Sequence, residues 1–215
     1  MRKSRVDEVY EKIRQGILDG SYLPSQHLVE THLAETYGVG RHIVRLALER
    51  LSAEGLVTIG PNRGAMVAQL TLEDALDILL VREVLEGAAA RLAAERVTAQ
   101  DLKVLEGCLA TMREAIDKGE LDRYSQTNAQ FHAAIYNASG SKKIPKLLNL
   151  LGARMVRSQF RSMLIPGRAE ASYGEHRAIF EALQARDPER AEQAMRRHIA
   201  TLRETIRTSW DLVRN

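Results

Sequence analysis

The sequence predicts a mostly α-helical protein in two parts: a small N-terminal unit of short helices with a hairpin, followed by an all-α antiparallel bundle. Apolar residues recur at helical spacing along most of the chain, and the one segment rich in β-branched residues spans 55–70. From residue 71 onward nearly every segment keeps the helical period. We therefore predict an N-terminal domain over 1–70 and a helical domain over 71–215.

Three helices and a hairpin account for the first domain. Residues 4–19 carry apolar residues at helical spacing and stop at Gly20, and helices over 28–37 and 41–54 follow on either side of a Gly-Val-Gly turn. The hairpin turns at 60–64, where glycine, proline and asparagine cluster between two apolar runs. These elements predict a compact unit that ends in two short strands.

Six helices are predicted for the second domain, over 72–97, 99–118, 120–138, 144–164, 171–186 and 188–213. Thr71 and Thr98 each precede a helix and have an acid three residues later, which is typical of an N-terminal cap. Asp187 followed by Pro188 predicts the start of the last helix. The connections are short, so consecutive helices should run antiparallel in a bundle.

Composition narrows the class of protein without indicating a partner. The 215 residues contain 31 Lys and Arg against 28 Asp and Glu, so the net charge of +3 argues against a strongly basic, histone-like binder. Cys108 is the single cysteine, which excludes an internal disulfide and favours a reducing cytoplasm. The N-terminus is charged and no 18-residue uncharged apolar run occurs, so we expect neither a signal peptide nor a membrane partner.

Residues 28–54 have the pattern of a helix-turn-helix, whose second helix enters the major groove of DNA. Arg41, His42 and Arg45 stand on the outer face at the start of that second helix, in a stretch free of acids. Arginine suits the O6 and N7 atoms of guanine. Arg63, at the tip of the hairpin, would reach the minor groove or the phosphates. The alternative is that these residues form the solvated surface of a small domain.

Several polar residues lie on the otherwise apolar stripes of the bundle helices. Asn128 and His132 are four residues apart and share one face of a helix, whereas His176 and His198 lie on two other helices. Three imidazoles and one amide oxygen would suit Zn²⁺ or Ni²⁺, with coordination positions left for a ligand or water. The alternative is three separate core histidines, each satisfied by hydrogen bonds.

Charged residues on the same stripes predict a polar chamber at the centre of the bundle. Arg82 and Glu86 continue the apolar stripe of the first bundle helix, and Arg154 continues that of the fourth. A buried charge needs a partner, so groups from several helices at mid-length should share one site. We therefore assign Arg82, Glu86 and Arg154 to the binding of a small effector molecule.

The N-terminal part resembles the winged helix-turn-helix of GntR-type transcriptional regulators. Its pattern is matched at Gly20, Leu23, Pro24, Leu28, Glu30, Leu33, Ala34, Gly38, Val39, Arg41, Val44, Arg45, Ala47, Leu48, Gly55, Leu56, Val57, Arg63, Gly64 and Val67. The resemblance implies that Arg41 and Arg45 are the main base readers and that Arg63 is the contact made by the wing. The sequence departs from the pattern at Ser25, Gly40, His42, Ile43 and Leu46.

The bundle resembles the effector domain of FadR-type members of that family, and its six helices are similar to the VanR-like subgroup. The similarity lies in Arg82-x3-Glu86, Asn128-x2-Phe131-His132, Glu175-His176 with Asp187, and His198-Ile199. It implies a divalent metal, Zn²⁺ or Ni²⁺, held by Asn128 and the three histidines and engaged by the carboxylate of a small organic acid. It also implies that Arg82 is a partner of that carboxylate. Asn128 stands where the family commonly has aspartate, and a neutral oxygen is a weaker ligand.

Together these features predict a transcriptional repressor and not an enzyme: a homodimer that binds a palindromic operator in double-stranded DNA and responds to a small carboxylate. Two alternatives remain open. One is a metal-dependent hydrolase fused to a DNA-binding head, because a cation held by histidines can activate water. The other is a DNA-binding protein whose C-terminal domain is purely structural.

Overall fold

The computed structural model describes residues 4–60 and 64–213, with the side chains of 152–154 and 156–160 left undescribed. The chain forms two compact units, Met1–Leu70 and Thr71–Asn215. Helices dominate and a small antiparallel sheet accompanies the first unit, which confirms the predicted fold class. No helix in the described ranges is both long and apolar enough to cross a membrane.

The first unit contains three helices and three strands: α1 (Arg5–Asp19), β1 (His27–Leu28), α2 (Glu30–Tyr37), α3 (Arg41–Ala53), β2 (Val57–Gly60) and β3 (Gly64–Val67). The strands lie in the order β1-β3-β2 and every pair is antiparallel. The predicted hairpin is β2 and β3. Strand β1 was not predicted, because two residues carry no periodicity and its register is set by pairing of His27 with Met66 and Leu28 with Ala65.

The core of this unit lies between α1 and α3, which pack against each other. Ile13 of α1 and Val44, Leu48 and Leu51 of α3 are almost completely buried, so the helical stripes seen in the sequence face one another. Gly38 ends α2 with φ of 62°, a left-handed conformation that L side chains rarely adopt. This tight turn leads directly into α3 and leaves the start of that helix exposed.

The second unit contains α4 (Leu72–Arg96), α5 (Ala99–Lys118), α6 (Leu121–Ala138), α7 (Ile144–Ser162), α8 (Arg168–Gln184), α9 (Pro188–Thr208) and α10 (Trp210–Val213). The predicted caps are present: the side chains of Thr71, Thr98 and Asp187 each accept a backbone N–H three residues later. The predicted last helix is wrong in one respect, because Ser209 interrupts it and a separate short helix follows.

Helix α8 begins three residues before the predicted start at 171. Its N-cap is Gly167, which has a left-handed backbone and offers no capping side chain, so the sequence contains no N-terminal signal there. Helix α4 packs along α9, and α6 and α8 also contact α4. These four helices surround the centre of the unit, and the buried polar residues of the bundle lie mainly on them.

Candidate functional site

Three histidines from three helices meet at the centre of the bundle. His132 lies on α6, His176 on α8 and His198 on α9, and all three side chains are buried. The Nε2 atoms of His132 and His176 are 3.2 Å apart, and one ring nitrogen from each histidine lies within 4.8 Å of the others. The structure therefore brings together the three imidazoles that the sequence analysis assigned to one cation site.

Two carboxylates orient these rings from behind. Glu86 Oε2 lies 2.9 Å from His132 Nδ1, and Glu175 Oε2 lies 2.6 Å from His198 Nδ1. A carboxylate that accepts from Nδ1 fixes the tautomer with its proton on that nitrogen and leaves the Nε2 lone pair free. Both rings therefore present Nε2 to the centre as an acceptor, which is the form that binds a cation.

Burial sets the protonation of this cluster. It is the main cause that holds the pKa values of His176 and His198 well below their usual range, and the neighbouring His132 adds to the effect. Neutral imidazole is the ligand form of histidine. Burial alone would raise the pKa of Glu86, but Arg82 and His132 outweigh it and hold that pKa below its ordinary value. The centre thus combines the uncharged rings of His176 and His198 with the firmly ionised carboxylate of Glu86.

Asn128 supplies an oxygen at the same place. It lies one turn before His132 on α6, and its Oδ1 is buried without a hydrogen-bond partner among the described atoms. Asn128, His132 and His198 line a small cavity of about 30 Å³, close to the volume of one water molecule. An orphaned buried oxygen is costly unless something binds it. The donor set and the size of the cavity therefore fit a single cation such as Zn²⁺ or Ni²⁺.

The predicted effector residues are placed differently from one another. Arg82 Nε donates to Glu86 Oε1 at 2.8 Å, and both oxygens of Glu86 are then engaged by Arg82 and His132. Glu86 thus lies behind His132 rather than in the cavity. Arg82 is buried and its Nη1 has no partner among the described residues. The side chain of Arg154, on α7, lies outside the described residues.

Arg168 is a residue of this site that sequence reasoning missed. Its guanidinium is buried and lines the cavity, and it donates to Glu175, the carboxylate that holds His198. Arg168, Ser172 and His176 are spaced by four residues and so share one face of α8. That spacing was visible in the sequence, but the predicted helix began after Arg168.

A second polar cluster lies on the N-terminal unit, at the start of α3. Arg41, His42 and Arg45 are all exposed there, as the sequence predicted. The sequence did not predict their acidic neighbour. Glu30, the first residue of α2, accepts from Arg45 Nε at 3.1 Å and from Arg45 Nη2 at 3.0 Å, and it lies 3.8 Å from Arg41 Nη2. Arg63 lies outside the described residues.

These residues border an open cleft of about 360 Å³ within the N-terminal unit. Its walls come from the ends of β1 and β3 and from the first residues of α2 and α3, including Glu30, Arg41 and Arg45. The cleft therefore extends from the exposed start of α3 to the start of strand β3. This arrangement presents two guanidinium groups to solvent on an exposed concave surface, as contact with nucleic acid requires.

Comparison with known proteins gives matches over both units. Residues 5–67 match the family described as bacterial regulatory proteins, gntR family, and residues 77–201 match the family described as FCD domain. The HTH-type transcriptional repressor RspR of Escherichia coli (strain K12) is 28% identical over 200 residues, which cover 93% of this chain and 88% of that protein. The HTH-type transcriptional repressor GlaR of the same strain is 30% identical and covers 89% of this chain and 91% of its own.

Among solved structures, E. coli McbR/YncC has the same fold. Its TM-score is 0.80 at 23% sequence identity, and the match covers 97% of this chain and 100% of that one. At that identity the likeness concerns the fold alone. The sequence matches and the structural match nevertheless agree on the same pair of domains in the same order.

Proposed function

This chain belongs to the GntR family of bacterial regulatory proteins and carries an FCD domain, and from that membership we propose that it is a repressor controlled by a small organic acid that binds beside a cation in the bundle. The family and the relatives are transcriptional regulators, so the chain is a DNA-binding regulator and the hydrolase alternative is set aside. Repression is proposed because relatives that match over most of this chain are named repressors. We also propose that the protein acts in the cytoplasm, where a regulator of bacterial genes meets its DNA.

The observation that carries the cation proposal is the convergence of three buried imidazoles beside an orphaned amide oxygen. Nε2 of His132 lies 3.2 Å from Nε2 of His176, and the Oδ1 of Asn128 is buried without a hydrogen-bond partner among the described atoms. A purely structural core satisfies its buried polar atoms with protein partners. Here carboxylates satisfy the outer nitrogens of His132 and His198, while the inner atoms face one another.

In the proposed mechanism His132, His176, His198 and Asn128 would hold the cation, and Glu86 and Glu175 fix the orientations of the His132 and His198 rings. The cation, when bound, supplies a Lewis acid to which a carboxylate can coordinate. Arg168 adds positive potential at the cavity and would draw an anion toward the same point. A cavity of about 30 Å³ has room for little more than one water-sized group, so we propose that the lining side chains move when an organic acid binds. An acid that binds only the rearranged bundle would shift the protein toward that conformation.

We also propose that the protein acts as a homodimer on a palindromic operator. Exposed apolar side chains follow one face of α4, at Leu80, Val81 and Val84, and the neighbouring helix α7 exposes Leu147 and Leu150. Several large apolar side chains exposed on one helix face are typical of a protein–protein interface. Two copies joined there would present two reading helices to half-sites about one helical turn apart, or a multiple of that spacing.

A thermal-shift screen tests the effector proposal. Metal-free protein is melted alone, with Zn²⁺ or Ni²⁺, and with a panel of small carboxylic acids in the presence and absence of each ion. We expect the ion to raise Tm, and one or more acids to raise it further when the ion is present. A ligand at 100 times its Kd stabilises by about 2.7 kcal/mol, which is roughly 5–10 °C for a chain of this size.

The matched variants are His176→Ala, which removes a proposed ligand, and His32→Ala, which removes an exposed histidine of α2. The shifts should disappear in His176→Ala and persist in His32→Ala. Wild-type protein that shows no shift with any ion or acid, while it still binds DNA, would contradict the proposal. That result would favour a regulator whose C-terminal domain is structural.

A further inference from the structure

The ion pair between Glu30 and Arg45 has a geometry that matters for DNA reading. Arg45 uses its Nε and Nη2 atoms to donate to the two oxygens of Glu30, at 3.1 and 3.0 Å. The carboxylate therefore grips one edge of the planar guanidinium. Of the five N–H groups of arginine, three remain, and they lie on Nη1 and Nη2. Two parallel N–H groups are what guanine O6 and N7 accept.

Glu30 is held more firmly than the arginine that it orients. It is the first residue of α2, where the helix dipole favours a negative charge. Its side chain is 27% exposed, against 58% for Arg45 and 63% for Arg41. The hydrogen bonds from Arg45 hold the pKa of Glu30 below its ordinary value, so the carboxylate is ionised at neutral pH. A partly buried anion thus stands beside two cations that are more exposed.

The same carboxylate reduces the positive charge of the cleft. Arg41 and Arg45 bring two positive charges to its wall, and Glu30 is the acidic residue among the described side chains that line it. Sequence-independent attraction to DNA grows with the number of cations that neutralise phosphates. An acid at this position lowers that attraction and leaves the hydrogen-bonding end of Arg45 available for a base edge.

A contribution to folding stability alone explains the Glu30–Arg45 ion pair poorly. Exposed pairs contribute little to folding, because water screens them and ordering two long side chains opposes the attraction. Orientation of a base-reading arginine is a different effect, since a guanidinium fixed before binding loses less rotamer freedom when it meets DNA. The two roles predict different consequences for the same substitution.

We infer that Glu30 is a positioning residue that determines sequence specificity: it holds Arg45 by its Nε–Nη2 edge, leaves the Nη1–Nη2 edge for a guanine, and suppresses binding to unrelated DNA. The inference rests on the proposed role of Arg45 as a base reader. Its chemistry requires a G·C pair in each half-site at the position that Arg45 reaches. It also requires that loss of the carboxylate weaken discrimination while it strengthens binding to DNA of any sequence.

The test uses the full-length chain and DNA that the wild-type protein selects from a randomised duplex library. Binding is measured by fluorescence anisotropy on the selected duplex, on copies in which each G·C pair is replaced in turn by A·T, and on an unrelated duplex of equal length. Each measurement is repeated over a series of salt concentrations. The proteins are wild type, Glu30→Gln, Glu30→Asp, Arg45→Ala and, as the matched control, Glu35→Gln.

Glu30→Gln should lose about tenfold in discrimination at one G·C pair per half-site, the same pair at which Arg45→Ala loses it. Its affinity for the unrelated duplex should rise. The slope of log K against log salt concentration should become steeper by about one for each DNA-binding domain. Glu30→Asp keeps the charge but is one methylene shorter, so its discrimination should fall between wild type and Glu30→Gln.

Glu35→Gln removes the same charge from an exposed position on the same helix, one that makes no ion pair with Arg45 among the described contacts, and should keep wild-type discrimination at that pair. If Glu30→Gln keeps it too while Arg45→Ala loses it, the inference is overturned and Arg45 still reads DNA. If Arg45→Ala keeps it as well, the proposed base reader is wrong and the inference falls with it. Melting curves of each variant confirm that the comparison is made on folded protein.

Discussion

The two units each contain an arginine–glutamate pair, in opposite surroundings. The side chains of Arg45 and Glu30 are 58% and 27% exposed, whereas those of Arg82 and Glu86 are 8% and 0% exposed. An exposed pair costs little to form, which suits a guanidinium that keeps one edge on a carboxylate and turns another edge toward DNA. A buried pair is expensive to break, which suits a scaffold that keeps His132 in one orientation. The degree of burial thus distinguishes the two arginine–glutamate pairs: the exposed pair suits DNA contact, and the buried pair suits a rigid ligand site.

Removal of the buried carboxylate should have the largest effect on stability. Glu86→Ala leaves Arg82 buried without its counter-charge and removes the acceptor behind His132. We expect the free energy of unfolding to fall by about 3–5 kcal/mol, measured by urea denaturation. The control is Glu95→Ala, at an exposed carboxylate of the same helix, where the loss should be less than about 1 kcal/mol. Equal losses in the two variants would contradict the contrast between depth and surface.

A charge on the exposed apolar face of α4 should separate the proposed dimer. Val84 is 47% exposed on that face, and Val84→Asp would place a carboxylate in the interface, where it has no partner. Sedimentation should show monomers, and affinity for the operator should fall by about 100-fold as the second head is lost. Val104→Asp, at a residue of α5 that is 44% exposed, should leave the oligomeric state unchanged. A monomeric wild type would exclude this interface outright.

Substitution of Asn128 by aspartate should make the free energy of unfolding depend more strongly on bound Zn²⁺. In Asn128→Asp a buried carboxylate replaces the orphaned amide oxygen, so the metal-free protein should unfold about 1–3 kcal/mol more easily. With Zn²⁺ bound, Asn128→Asp should instead be more stable than wild type, because an anionic oxygen is the better ligand. The variant should bind the ion on the order of tenfold more tightly than wild type. Asn137→Asp, exposed on the same helix, should change neither quantity. Urea denaturation of both variants with and without Zn²⁺ measures these changes. An equal effect of Zn²⁺ on the stability of the two variants would contradict the assignment of Asn128 as a ligand.

The smallest stability effect is expected at the exposed pair. Glu30→Gln removes the partner of Arg45 at the surface, so Tm should change by less than about 2 °C. Differential scanning calorimetry measures this directly on the protein prepared for DNA binding. A much larger fall would mean that the pair holds the N-terminal unit together, and it would remove the separation between folding and reading.

Helical periodicity predicted most of the fold, because long amphipathic stripes such as those of α1 and α9 leave few alternatives. It could not predict β1, since a two-residue strand is defined by its partner strand. The start of α8 was also hidden, because Gly167 caps it without a side chain. That single boundary removed Arg168 from the face that carries His176.

The candidate sites divide in the same way. Spacing along α6 placed Asn128 and His132 on one face, and the apolar stripes identified the other two histidines as buried. Spacing along one helix could not predict contacts between helices. The ion pair of Glu30 with Arg45, for example, joins residues 15 apart on two helices. Glu175 was named only as part of a motif, and its hydrogen bond to His198 depends on how α8 meets α9. Such contacts follow from crossing geometry, which a linear period does not contain.

Equilibrium dialysis of metal-free protein against Zn²⁺, with the bound ion measured by elemental analysis, tests the central claim most directly. The account predicts one Zn²⁺ for each chain in wild type and in His32→Ala, and none in His176→Ala, which removes one of three ligand atoms within 4.8 Å of each other. A wild-type chain that retains no Zn²⁺ would contradict the account. So would a chain whose retention is the same after His176→Ala.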